Sequence, residues 1–360
     1  MTVAKNGNIL RYDPTVFAVG ENYQIFVPVK HKCFLWIKVD GVKYYDHDNG
    51  IMRTDTLVHR VEIPMEVLDN ARRYTVVTRR LVKRLAYRSI SMEPVETNFV
   101  FCPVKQNQDI FVAHISDTHG QVDAAINCFK DRHVDLLVLN GDIIDSSERI
   151  SDFNAIYKLS GTITNGEKPV IFSRGNHDLR GVNAEKLSQY TPVHNGNTYF
   201  TFRLGKVWGV VLDTGEDKDD SNIEYSGAVC CHPFRVKETR FLESVVQKGE
   251  YEAEGIEHRL VISHNPFTHV YEEPFNIERD IYSKWAQLLH EKVKPTLMLC
   301  GHAHAAEVHE PGSKYDHLGQ PCKLIIGSKP PREKGDPFIA AYVTLRTDGT
   351  QKVVFIKGTK

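Results

Sequence analysis

Five short polar clusters constrain this chain more than any other feature, because each stands directly behind an apolar run. They are Ser116-Asp117-Thr118-His119-Gly120, Asn140-Gly141-Asp142-Ile143-Ile144-Asp145, Arg174-Gly175-Asn176-His177-Asp178, Ile262-Ser263-His264-Asn265-Pro266 and Cys300-Gly301-His302-Ala303-His304. The runs before them read as strands: Ile110 to Ser116, Asp135 to Asn140, Pro169 to Ser173, Arg259 to Ser263 and Thr296 to Cys300. Helical spacing falls between them. Val122, Ala125, Ile126 and Phe129 share one face of Gln121 to His133, and Phe241, Leu242, Val245 and Val246 mark a later helix. Ser151 is placed to cap a helix carrying Phe153, Ile156 and Tyr157. This alternation predicts an α/β domain with a buried sheet.

In open α/β sheets, ligands bind beyond the carboxyl ends of the strands. Five such ends bearing Asp, Asn and His can converge on one small volume. Carboxylates and imidazoles gathered there stay unsatisfied unless a cation holds them. Oxygen and imidazole ligands without thiolate suit Mn, Fe or Zn. Each cluster alone is a weak signal, whereas the ordered set is specific.

The first hundred residues read differently. Phe34 to Val39, Asp40-Gly41 and Val42 to Tyr45 form a hairpin signature. Further strands are expected at Tyr23 to Val29, Leu57 to Ile63, Tyr74 to Val82 and Thr97 to Phe101, with no long helix among them, which points to a small β-sandwich. Arg72, Arg73, Arg79, Arg80, Lys83, Arg84 and Arg88 make this the most basic stretch, read here as a solvated strand face. Cys102 to Asp109 is a linker. The expected division is therefore a β-sandwich over residues 1–104 and a second domain over 105–360. Strands return at Lys323 to Ile326, Phe338 to Leu345 and Lys352 to Ile356.

A net charge of -1 supplies no global attraction for nucleic acid or anionic membrane, so long nucleic acid and membrane are both disfavoured as partners. The seven cysteines form no Cys-x-x-Cys pair, the first residues lack the apolar run of a signal peptide, and no apolar stretch is long enough to cross a bilayer. A cytoplasmic protein is expected. Protein partners are left open by the sequence.

Together the five clusters resemble the signature of the calcineurin-like metallophosphoesterase superfamily: Asp-x-His, Gly-Asp-x-x-Asp, Gly-Asn-His-Asp/Glu, a lone His, and Gly-His-x-His. The resemblance spans Asp109 to Ile326. It implies a four-layer α/β/β/α sandwich here, preceded by the small all-β domain, and two metal ions. Asp117, His119, Asp142 and His304 would hold the first, and Asp142, Asn176, His264 and His302 the second, with Asp142 as bridge. It further implies that His177 donates a proton to the leaving group and that Asp145 orients it. The implied activity is hydrolysis of a small phosphomonoester or phosphodiester by attack of a metal-bound hydroxide on phosphorus. A cyclic-nucleotide phosphodiesterase or nuclease is the alternative enzyme. A metal-poor scaffold is the alternative of another class, although all the ligand positions are intact. A β-sandwich ahead of such a domain is similar to the layout of purple acid phosphatases, whose iron-ligating tyrosine is absent, since Ile143, Ile144 and Asp145 follow Asp142. Ser146 stands where phosphoprotein phosphatases place arginine.

Arg174 fits either a phosphate or a strand-end ion pair. Asp145 also fits a helix cap. The acidic stretch Glu216 to Glu224 fits a rim, a lid or a solvated insertion. Tyr271, Phe275, Tyr282 and Trp285 fit half-buried packing better than base stacking. Cys230-Cys231-His232 reads as chance neighbours, and His114 and His133 as structural residues.

Overall fold

The computed structural model describes residues 9–333 and 335–358. Its largest sheet runs in the order Ser328–Lys329, Phe338–Leu345, Ile110–Ile115, Leu136–Asn140, Pro169–Ser173, Thr15–Val19, Asn22–Pro28, Val58–Pro64, with Gln351–Gly358 beside Phe338–Leu345. A second sheet runs Phe200–Leu204, Val207–Leu212, His258–Ser263, Leu297–Cys300, Leu324–Ile326, Glu307–His309. Strands at the centre of both sheets are parallel, so their carboxyl ends lie at one end of each sheet.

Alternation along the strands builds the layers. Leu260 and Ile262 enter the core shared by the two sheets, while Val261 between them faces the opposite way. On that far face the helices Cys231–Lys248 and Arg279–Leu288 cover the second sheet with Leu242, Val245, Trp285 and Ala286. The helices Val122–Phe129 and Asn154–Thr164 bury Ala125, Phe129, Ile156 and Leu159 in the core that holds the first sheet. The result is the expected α/β/β/α stack. Strands buried on both faces read as continuous apolar runs, which is why they were visible in the sequence.

The N-terminal residues do form a sandwich, yet one of its sheets is continuous with the main sheet. Thr15–Val19, a strand absent from the sequence reading, pairs in parallel with Pro169–Ser173. Its other neighbour Asn22–Pro28, and Val58–Pro64 beyond that, extend the sheet outward. The facing sheet is Val95–Val100, Arg73–Arg84, Cys33–Val39, Val42–Tyr45. Ile25, Leu35, Ile63 and Val76 belong to the same core as Leu137 and Leu260, so packing crosses the boundary expected at residue 104. A short helix, Met65–Ala71, also interrupts this all-β region and buries Leu68.

The cap expected at Ser151 does not form. A 3-10 turn, Ile150–Phe153, leads into Asn154–Thr164, and Asp152 accepts from the Arg149 backbone at 3.3 Å instead. All seven cysteines are free thiols.

Candidate metal centre

The polar clusters meet where the two sheets abut. Asp117, His119, Asp142, Asn176 and His177 follow strands of the first sheet, and His264, His302 and His304 follow strands of the second. His304 Nε2 lies 3.2 Å from His119 Nε2 and 3.5 Å from Asp117 Oδ1. His264 Nε2 lies 3.2 Å from Asp142 Oδ2 and 3.8 Å from Asp117 Oδ1. His302 Nδ1 lies 3.1 Å from Asn176 Oδ1. Three overlapping groups have one donor atom per residue within 4.8 Å of each other: Asp117/His119/His304, His119/Asp142/His177 and Asp117/Asp142/His264.

Several local features force this convergence. Asp117, His119, Asp142, His302 and His304 all have positive φ, between 44° and 64°. For residues with a Cβ that conformation costs roughly 1–2 kcal/mol each, and such strain persists where the surroundings over-determine it. Two glycines of the clusters are there for space. A Cβ on Gly175 would stand 2.2 Å from Asp142 Oδ1, and one on Gly301 would stand 2.8 Å from Asp117 Oδ2. Main-chain amides then fix the carboxylates: His177 N donates to Asp142 Oδ1 at 2.9 Å, and His302 N donates to Asp117 Oδ1 at 3.0 Å.

The donor set fits divalent cations. Asp117, Asp142 and His264 are buried, and nothing in the protein hydrogen bonds to His264 Nε2 among the described residues. Its other nitrogen is 2.7 Å from the Asn140 carbonyl, the contact that fixes a metal-binding tautomer. Burial pushes Asp117 up to about 7, against the opposing pull of His264. Burial also opposes the charge on Asp142, but His264, His177 and His119 together outweigh it and hold that carboxylate well below its usual range. Burial opposes charge on His264 too, yet the Asp142 carboxylate drives the imidazole up to about 10. His119 and His302 are pushed down to about 4 by burial, and His304 is also lowered by burial, leaving neutral rings with lone pairs to offer. Two carboxylates stabilised by a single buried imidazolium are a poor substitute for metal, and the donor atoms suit Mn, Fe or Zn.

The remaining candidates fall into place around this core. His177 Nδ1 donates to the Asp145 main-chain carbonyl at 2.8 Å, whereas the exposed Asp145 carboxylate is 3.9 Å from that nitrogen and 3.4 Å from His119 Nδ1. Arg174 is tied elsewhere. Its Nε is 2.7 Å from the buried Asp213 Oδ2, off the hydrogen-bond line, and its guanidinium lies over the Phe234 ring.

A different arginine reaches the site. Arg180 Nη1 is 3.2 Å from His177 Nε2, while its Nε and Nη2 each bond Glu216 at 2.9 Å. Asp217 receives Asn176 Nδ2 at 3.5 Å and Arg180 Nη2 at 3.3 Å. Glu216 and Asp217 are buried, so the acidic stretch begins as a wall of the site. The sequence carried a signal for them. Val207 to Leu212 is one more apolar run followed by acid, Asp213-Thr214-Gly215-Glu216-Asp217. Tyr271, Phe275 and the largely buried Tyr282 line a narrow cleft of about 20 Å³ with Asp217 and His302, whereas Trp285 is buried in the core. Cys231 opens the helix Cys231–Lys248, and its sulfur accepts from Glu216 N at 3.4 Å. His114 is buried 3.1 Å from Asn140 Nδ2, and His133 contacts Asp135 at 2.8 Å.

Residues 112–306, more than half of the chain, match the family model for calcineurin-like phosphoesterases. Among curated proteins none matches significantly. Among solved structures, a purple acid phosphatase from yellow lupin (Lupinus luteus) seeds is similar, with TM-score 0.60 and 14% identity, over 97% of this chain and 72% of that one. The structure of PhoD is similar with TM-score 0.52 and 11% identity, over 99% of this chain and 94% of that one. At these identities the likeness is one of fold.

Proposed function

The chain belongs to the calcineurin-like phosphoesterase family and is a phosphoester hydrolase, and from that premise we propose that it hydrolyses a small phosphomonoester or phosphodiester at a two-metal centre. The reading is carried by the meeting of oxygen and imidazole donors from two separate sheets around His264 Nε2, which lies between the Asp117 and Asp142 carboxylates. Asp117, His119, Asp142 and His304 would hold one ion, and Asp142, Asn176, His264 and His302 the other. Two divalent cations there would neutralise phosphoryl charge and lower the pKa of water.

The protein's own groups do the rest. The His177 Nδ1–H bond to the Asp145 carbonyl leaves Nε2 as the free ring nitrogen, which faces Arg180 Nη1 as an acceptor; once the ring takes up a second proton and Arg180 turns to the phosphoryl group, Nε2–H is the group that can protonate the departing oxygen. Arg180 stands beside that atom, held by both oxygens of Glu216. Its Nη1 can turn from His177 to a non-bridging phosphoryl oxygen without moving the guanidinium far, since the ion pair fixes the plane. Asn176 is oriented by Asp217 so that its amide oxygen, not its NH2, faces His302.

The test is turnover of p-nitrophenyl phosphate and bis(p-nitrophenyl) phosphate with Mn²⁺, Fe²⁺ or Zn²⁺ added, together with metal content by mass spectrometry. Turnover with stoichiometric metal is expected. Folded protein that purifies without metal and stays inactive with all three ions would turn the reading into a scaffold.

A further inference from the structure

We propose that the hairpin over residues 81–92 is a docking arm for an anionic lipid surface. The strand Arg73–Arg84 is flanked on both sides only for its first part. Pairing with Cys33–Val39 ends at Cys33↔Arg80, and pairing with Val95–Val100 ends at Val95↔Thr78. Beyond that, apart from Leu81 N bonded to Lys32 O, the strand pairs among the described residues with its own return, Lys83 opposite Ile90 and Arg84 opposite Ser89, around a turn in which Leu85 N donates to Arg88 O. A two-stranded ribbon is marginally stable in water by itself. This one is steadied at its base by Arg84, which donates to Met52 O and Thr54 Oγ1.

What the arm presents is unusual for a solvated edge. Val82, Leu85 and Ile90 are 63%, 44% and 41% exposed, and Tyr87 is fully exposed. Residues 81–92 contain no Asp or Glu. Arg80, Lys83 and Arg88 have no carboxylate partner among the described residues, although the whole chain has net charge -1. A solvated face would interleave charges of both signs and keep aliphatic side chains in. Cations around aliphatic side chains and a tyrosine match a headgroup interface, where basic groups meet lipid phosphates and apolar side chains enter the acyl boundary. Nucleic acid matches less well, because three of the four exposed apolar side chains are aliphatic and offer no stacking plane. No described helix is long and apolar enough to cross a membrane, so the contact would be peripheral. The arm thereby revises the sequence-based expectation of no membrane partner, which rested on net charge and not on its local distribution.

The experiment is co-sedimentation of the full chain with phosphatidylserine/phosphatidylcholine vesicles and with phosphatidylcholine vesicles. Binding to the first alone is expected. Lys83→Glu with Arg88→Glu, and separately Leu85→Ser with Tyr87→Ser, should each lower the bound fraction more than about tenfold. All four side chains are exposed, so circular dichroism and p-nitrophenyl phosphate turnover should match the parent. A Tyr87→Trp variant should shift its emission to the blue on the anionic vesicles. No sedimentation, or sedimentation indifferent to both double variants, overturns the proposal. So does binding of an oligonucleotide that depends on Lys83 and Arg88 while vesicles are ignored.

Discussion

Two buried clusters in this protein are built from nearly the same residue types and end in opposite conditions. In the N-terminal sandwich, His59 Nδ1 meets Asp46 at 2.7 Å and Nε2 meets Cys33 Sγ at 3.5 Å. Both ring nitrogens are partnered, Arg53 adds a cation 3.6 Å from Asp46, and Cys33, Asp46 and His59 all avoid positive φ. Burial, then Asp46, pushes the Cys33 thiol up to about 12, so it is no nucleophile despite a triad-like order. At the sheet junction, His264 has one nitrogen satisfied and the other aimed between two carboxylates, and five neighbouring residues hold strained backbone. Residue identity therefore decides little. A closed set of polar groups stabilises, and an open set waits for a ligand.

Substitutions can break or sharpen that contrast. The largest effect is expected for Asp142→Asn, which removes the carboxylate shared by the proposed ions. Turnover should fall by roughly three orders of magnitude, the scale for losing one preorganised electrostatic group, and mass spectrometry should record lost metal. Retention of both metals and of turnover would place the open set elsewhere. Arg180→Ala should slow p-nitrophenyl phosphate turnover about 10²-fold while metal content stays at the parent level. Arg174→Ala should leave kcat close to the parent value, since Arg174 contacts Asp213 and Phe234.

In the closed cluster the order reverses. His59→Leu should cost about 1–3 kcal/mol in denaturant unfolding, because Asp46 loses a buried partner, with kcat/KM unchanged per folded molecule. A loss of activity larger than the loss of folded protein would mean that the two clusters are linked. The smallest effect belongs to Glu238→Gln. Burial and then Asp213 raise this carboxyl well above its ordinary value. A raised acid contributes its stability below its unfolded pKa and loses it as pH climbs through the folded one. Glutamine still accepts from Asp213 N, a 2.7 Å bond in the parent. The variant should stay within about 1 kcal/mol of the parent at low pH and gain on it toward alkaline pH. Melting curves across pH check this, and a variant that loses ground in alkali contradicts the buried, protonated state.

The candidate site is legible in the sequence because its grammar is local. An apolar run followed by Asp, Asn or His needs only a few adjacent residues to be recognised, and those runs became strands carrying Asp117, Asp142, Asn176, His264, His302 and His304 to one place. Thr15–Val19 is a local apolar run hairpinned through Gly20-Glu21 to Asn22–Pro28; what no local pattern encodes is its parallel pairing with Pro169–Ser173, which joins the sandwich to the main sheet. The sandwich boundary failed to be a break in packing for the same reason. Arg180 was passed over in favour of Arg174, which adjoins the cluster in sequence. The choice between them depends on where Asp213 and Glu216 stand, and both follow Val207–Leu212, a strand that the reading did not assign.

The split origin of the ligands has a mechanical consequence. Asp117, His119, Asp142 and Asn176 hang from one sheet, and His264, His302 and His304 from the other. Any ion gripped by both acts as a rivet through the seam between two halves that otherwise touch through side-chain packing and a few buried bonds such as Asn140 Nδ2 to the Leu299 carbonyl at 3.0 Å. Drawing the rivet with a chelator should loosen both plates at once. Amides such as Asp117 N, bonded to Gly141, and Gly301 N, bonded to His264, would then exchange with deuterium faster in concert, while those at the opposite rim keep their pace.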